Sequence, residues 1–236
     1  MTVAQQIRTK INSIPSGLVF TYGMIGVDAK KKQTATKTIQ RLIEKKKIVR
    51  VSKGKFYRPE KSIFGDVRPS ANELLKTYLY KDNKLVAYET GNSLYNRLGL
   101  TTQVSKYINL AVYKSRITLN KNNLNIKSVK AYALPTEKNI KYLQYLDIIR
   151  DFKTIPDIDI NYTIQYLSKQ LQELDSGQLI KYALKYPPRV MALLGAIMEM
   201  NNIGTGGIKQ KLNSLSSYKY GISYNTLPSA KNWHIK

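Results

Sequence analysis

The first sixty residues alternate short amphipathic segments with turn signals, so closely spaced that no long helix or broad sheet fits between them. Val3, Ile7, Ile11 and Ile14 recur at spacings of four, four and three, one apolar stripe of a helix that Pro15, Ser16 and Gly17 terminate. "LVF" at 18–20 reads as a short extended piece, and Thr21 then stands as N-cap of a short helix, "YGMIG". Past the basic turn "DAKKKQ", the period predicts a further helix from about Thr34 to Lys46, with Ala35, Ile39, Leu42 and Ile43 on one side. At about 100° per residue, Gln33, Lys37, Gln40, Arg41 and Glu44 face the other way. Two β-rich arms, "IVRV" and "FYR", follow, joined by "SKGK" with Lys53 and Lys55 flanking Gly54. Helix, short strand, helix, turn, helix and basic hairpin is the order of a winged helix-turn-helix, predicted here over residues 1–60.

Residues 59–73 carry two prolines, a Gly and polar side chains, so that 61–73 reads as a linker to a second domain over 74–236. Strand-like runs come first there ("KLVAYE", "YINLAVY", "RITLN", "LNIKSVKAYAL"), interrupted by the helix-like "GNSLYNRLGL". From residue 138 onward the pattern turns helical. The chain is therefore predicted to be α+β: a winged helix-turn-helix, then a larger mixed α/β domain with a helical C-terminal part.

The residue inventory closes off much of chemistry. With no Cys, disulfides, thiolate zinc sites and cysteine nucleophiles are excluded, and a single His, His234, leaves no His-rich metal site. No nucleophile elbow, Walker motif or paired-carboxylate metal signature occurs. "GTGG" at 204–207 lacks a following Lys-Ser/Thr pair and reads as a loop, while Asp157 and Asp159 read as the lead into a helix. His234 and Trp233 read as a packing pair, and most of the 18 Tyr as core or rim. No catalytic residue, cofactor or metal is expected, and the protein is expected not to be an enzyme. The most apolar stretch, Val190 to Met198, is fenced by Arg189 and Glu199 and is far short of the ~20 residues of a membrane span. No secretory signal opens the chain, so the expected location is cytoplasmic.

Charge points to a partner. The 39 basic against 15 acidic residues give a formal net charge of +24. Thirty Lys against 9 Arg, with abundant Asn, Ile and Tyr, is the usage of an AT-rich coding sequence, so the distribution tells more than the total. Residues 1–60 hold 14 basic and 3 acidic side chains, the densest excess in the chain, as a polyanion-binding module requires. The expected contacts with double-stranded DNA are Thr21, Tyr22, Lys30, Lys31, Lys32, Gln33, Thr34, Lys37, Arg41, Lys53 and Lys55. Basicity alone leaves open an RNA-binding protein, and the architecture leaves open a plain transcriptional regulator whose second domain senses a ligand or dimerises.

"IQRLIEKKKIVRVSKGKFYRP" resembles the third helix and wing of AbiEi-like antitoxins, which belong to type IV toxin–antitoxin and phage-defence systems. "GNSLYNRLGLTTQVSKYINL" is similar to the middle block of that family, and "YPPRVMALLGAIMEM" and "SYKYGISYNTLPSAKNWHIK" to its C-terminal blocks. The resemblance implies a winged helix that binds its own promoter as an autorepressor. It implies a second domain that antagonises a nucleotidyltransferase-like toxin without requiring a stable complex.

Overall fold

The computed structural model describes residues 2–28, 31–62, 65–81, 84–113, 118–121 and 124–236. They form two compact units, Met1–Lys84 and Leu85–Lys236. In the first, α1 (Val3–Ser13) opens with a reciprocal capping box, the Thr2 hydroxyl accepting from the Gln5 amide and the Gln5 side chain from that of Thr2. Its Ile7 and Ile11 are buried, as the spacing requires. The Arg58 guanidinium donates to the carbonyls of Asn12 (2.5 Å) and Ile14 (2.8 Å), which ties down the carbonyl end of the helix.

Strand β1 (Val19–Thr21), helix α2 (Lys32–Glu44) and strands β2 (Val49–Ser52) and β3 (Lys55–Tyr57) follow. The strands make one antiparallel sheet in the order β1-β3-β2, with Phe20 directly opposite Phe56. Those two rings lie 5.9 Å apart and join Ile7, Ile11, Ile25, Ala35, Ile39 and Ile48 in the core of this unit. The helix expected over "YGMIG" is absent: residues 22–26 are turns, and Thr21 ends a strand instead of capping a helix. The segment is five residues long with Gly at two of them, and Gly26 takes a left-handed φ of 68° that ends any helical run. Ile25 is buried and Tyr22 packs against the same core.

The linker expected at 61–73 is also replaced by structure. Strand β4 (Glu60–Ser62) pairs antiparallel with β5 (Gly65–Val67), and α3 (Ala71–Leu79) begins at Ser70, whose hydroxyl accepts from the Glu73 amide. Pro59 and Pro69 stand just outside these elements, where a missing N–H costs nothing. Two short strands, β6 (Tyr80–Lys81) and β7 (Lys84–Leu85), pair at the junction, so the boundary falls after α3 and not before it.

The second unit places strands before helices, and the chain is α+β as predicted. Its sheet runs β10-β11-β9-β8, from β8 (Ala87–Thr90), β9 (Ile108–Val112), β10 (Thr118–Lys121) and β11 (Leu124–Lys130), with α4 (Asn92–Arg97) between β8 and β9. β9 and β11 are parallel and the two outer pairings antiparallel. Four helices follow: α5 (Ile140–Asp151), α6 (Ile160–Leu171), α7 (Ser176–Ala183) and α8 (Pro188–Met200). Asp159 caps α6 through the Tyr162 amide, in keeping with its reading as a helix lead-in. Val190 to Met198 are all buried, which makes α8 the central helix and explains why it is apolar on every side. Trp233 lies against Gly195 so closely that a Cβ there would stand 2.2 Å from the indole. Among the described residues no helix is long and apolar enough to cross a membrane.

A charged group sits inside this core. Asp147 on α5 has no exposed surface, and four neighbours donate to it: Tyr88 (2.9 Å) and Thr90 (2.8 Å) from β8, Tyr186 (3.0 Å), and Arg150 (2.5 Å). Arg150 also grips Asp151 with two nitrogens, and Tyr95 of α4 donates to the same carboxylate at 2.7 Å. Burial pushes the Asp147 carboxyl up to about 6, against the pull of Arg150 and the hydroxyls of Thr90 and Tyr88. Asp147→Asn keeps the volume but turns an amide donor toward Arg150 and Tyr186, and should cost about 3–5 kcal/mol in chemical denaturation. Because the folded value lies above the ordinary 3.8, the contribution of this carboxyl is fully present below that pH and is lost as pH rises through about 6. Melting curves across this window should show the parent losing stability with rising pH relative to Asp147→Asn, and parallel curves would refute the assignment.

Candidate nucleic-acid interface

Helix α2 is two-faced. Ala35, Thr38 and Ile39 are buried and Leu42 and Ile43 pack at the core margin, while Lys32, Gln33, Thr34, Lys37, Gln40 and Arg41 are exposed. The helix starts two residues earlier than its period suggested and ends two earlier, because Lys46 turns into a left-handed φ of 54°. Thr36 and Thr38 return their hydroxyls to the carbonyls of Lys32 and Thr34, so they add no free donor to the outer face. Gln40 is held by Glu44 at 3.2 Å. Gln33, Lys37 and Arg41, one helical turn apart, form a continuous polar stripe.

The loop before α2 is less free than a lysine run suggests. Lys31 is half-buried, its amide bonded to the Asp28 carboxylate at 2.9 Å and its ammonium 3.4 Å from the other oxygen. Lys30 lies outside the described residues. Lys32, Gln33 and Thr34 occupy the first turn of α2, whose N-cap Lys31 makes no side-chain cap bond.

The hairpin divides its two lysines. Lys53 is exposed at the turn, next to Gly54 with φ 75°, a left-handed value that suits glycine. Tyr22 lies beneath that glycine, its ring edge-on to Phe56 at 5.5 Å, so it props the hairpin and is half-buried. Thr21 is half-buried and paired with Lys55 across β1 and β3. Lys55 does not crown the tip as expected. Its ammonium donates to the carbonyl (2.8 Å) and hydroxyl (3.0 Å) of Thr77 on α3 and sits 3.4 Å from the centre of the Tyr78 ring. Burial lowers this amine to about 8, and the Thr77 oxygens and Tyr78 face stand in for the water it has lost. The strand period explains the error, since Lys55 is the first residue of β3 and points back toward the helix that the linker reading had dissolved. Arg50, exposed on β2 with its guanidinium 5.6 Å from the Phe56 ring, is the cation that sequence reasoning passed over. Arg50 stands opposite Phe56 across β2 and β3 and so shares its face of the sheet, a pairing that the residues "VRV" alone do not reveal.

The exposed set is therefore Lys32, Gln33, Thr34, Lys37, Arg41, Arg50 and Lys53, which are cations and hydrogen-bond donors. No group of three His, Cys, Asp or Glu able to hold a metal occurs among the described residues. The profile of the DUF6088 family, a family of unknown function, matches residues 6–176. The chain belongs to the DUF6088 family. The DUF6088 match spans nearly all of the first unit and the second as far as the start of α7. A crystal structure of the RV2827C protein from Mycobacterium tuberculosis is similar in fold, with a TM-score of 0.52 at 10% identity over 91% of this chain and 83% of that one. No curated protein matches the sequence.

Lys55→Ala should lower the stability of this DUF6088 protein by about 1–2 kcal/mol, the scale of a charge-assisted hydrogen bond that is half-exposed. It should leave the salt dependence of any binding to duplex DNA unchanged, because the ammonium is already engaged. Urea denaturation and a salt titration of the same variant check both, and a flattened salt slope would return Lys55 to the interface.

Proposed function

We propose that this chain is a DNA-binding antitoxin that represses its own promoter, acting in the cytoplasm and not as an enzyme. The observation that carries the DNA-binding half is the division of α2 into a buried face of Ala35, Thr38 and Ile39 and a solvent face of Gln33, Lys37 and Arg41. A three-stranded sheet beside it ends in a hairpin tipped by Lys53. We read these elements as a winged helix whose middle helix has shrunk to a turn. On that reading α2 enters the major groove of double-stranded DNA, and Arg50 and Lys53 meet phosphates along the backbone. The antitoxin half is supported by the resemblance of "GNSLYNRLGLTTQVSKYINL" and the C-terminal blocks to AbiEi-like antitoxins, which gives a nucleotidyltransferase-like toxin as functional partner.

Binding to promoter and random duplexes, titrated with salt, tests the first half. Lys53→Ala and Arg50→Ala should each flatten the slope of log K against log salt by roughly 0.9, with little change in sequence preference. Lys37→Ala and Arg41→Ala should weaken binding on both duplexes, and a base contact would add about 1–3 kcal/mol of loss on the promoter alone. Parent-like binding by all four refutes the docking. Growth rescue on co-expression with the neighbouring toxin gene tests the second half. Intact promoter binding without rescue would make the protein a plain regulator.

A further inference from the structure

The second unit carries its own excess of positive charge, and part of it is organised around tyrosines. Tyr132, just beyond β11, stacks on Tyr186 with ring centres 4.2 Å apart and planes 26° from parallel. The Tyr186 hydroxyl is bound to buried Asp147 at 3.0 Å and to the Leu143 carbonyl at 3.3 Å, so the lower ring of this stack is fixed. One turn earlier, Tyr182 of α7 meets Tyr142 of α5 at 5.9 Å. Tyr132, Tyr142 and Tyr182 are half-buried.

Cations surround these rings without sealing them. The Lys130 ammonium is 5.0 Å from the Tyr132 ring and the Arg150 guanidinium 5.9 Å, while the Lys185 ammonium is 5.8 Å from the Tyr182 ring. These distances lie near the outer limit of a cation–π contact, about 6 Å, so the lysines are free to swing onto another anion. Lys130, Lys141, Lys181 and Lys185 are exposed. β11 and α7 carry no acidic residue, and the two carboxylates of α5, Asp147 and Asp151, are both bound by Arg150. No carboxylate from these elements competes for the lysines.

We propose that this face of the second unit binds single-stranded nucleic acid, with bases stacking on Tyr132 and Tyr182 and phosphates meeting Lys130, Lys181 and Lys185. Cations interleaved with rigid aromatic rings are the two ingredients of sequence-tolerant strand binding. A duplex keeps its bases stacked on one another and offers the rings nothing to stack with. An acidic protein would use the cations and leave the stacked tyrosines idle. These residues belong to the second unit, whereas α2 and the hairpin belong to the first, so the inference stands or falls independently of the docking proposed for them.

The test uses the full chain and a fluorescent oligothymidylate of about 12 nucleotides, within the span of known strand-binding folds, beside a random duplex of equal length. At one low salt, Tyr132→Ala and Tyr182→Ala should weaken strand binding by about 5- to 100-fold each and duplex binding by less than about twofold, whereas Tyr132→Phe and Tyr182→Phe bind like the parent. Lys185→Ala should flatten the salt slope on the strand by about 0.7. Lys37→Ala and Arg41→Ala should retain strand binding, which separates this surface from the duplex interface. If Tyr132→Ala melts early because it bares Tyr186, the more peripheral Tyr182→Ala decides the question. Folded alanine variants that bind the strand like the parent, or that lose strand and duplex equally, overturn the proposal. Displacement of the strand by polyglutamate at equal charge also overturns it and would fit the surface to an acidic protein.

Discussion

A carboxylate with no exposed surface has to be compensated where it stands, and the second unit is arranged around doing so for Asp147. The donors come from β8, from α5 itself and from the segment that leads into α8, so one side chain ties the sheet to two helical elements. The hydrogen bonds are directional, and apolar contacts alone would let these elements slide. Leaving the ion pair half made is costly in a buried setting, which makes the register of β8 against α5 an all-or-none matter. The Arg150 bridge to Asp151 and Tyr95 extends the same constraint to α4.

The first unit works with much less. Eight buried side chains from two helices, the turn after β1, the residue before β2, and two strands form its core, and Phe56 on the central strand touches both Phe20 and Tyr22. In so small a core the local details matter more: a capping box at α1, the Arg58 clasp on its last carbonyls, and the Lys55 contact with α3. The Lys55 contact holds the hairpin at the residue that follows its turn, one position beyond Gly54.

The elements with clear periodicity were legible in the amino-acid sequence. The stripe of Ile7 and Ile11, the two faces of α2, the hairpin around Gly54 and the apolar α8 all follow from spacing and turn residues. The misses share a physical cause. "YGMIG" was read as a helix from Thr21 as its N-cap, but its two glycines, the left-handed Gly26 and the burial of Ile25 decide against one. Residues 59–73 have loop composition, yet short strands and a Ser-capped helix need only a few well-placed side chains. Lys55 was assigned to the tip because its partners, Thr77 and Tyr78, are twenty-two and twenty-three positions away in the chain. Asp147 gave no signal at all: one Asp in an amphipathic helix looks solvent-facing until Tyr88, Thr90 and Tyr186 are brought to it.

The seating of Trp233 against Gly195 also sets an order of events during synthesis. The helix that organises the second unit leaves a glycine-sized recess at its centre, and the ring that fills it is made thirty-eight residues later. Without that indole the recess on α8 has nothing to fill it, and the apolar contacts of the helix centre are incomplete. The first unit has no such dependence, since its core is complete with Phe56 and its pin to α3 with Tyr78. Every side chain of the first unit's core is therefore made before the second unit's sheet begins, whereas the recess on α8 waits for Trp233.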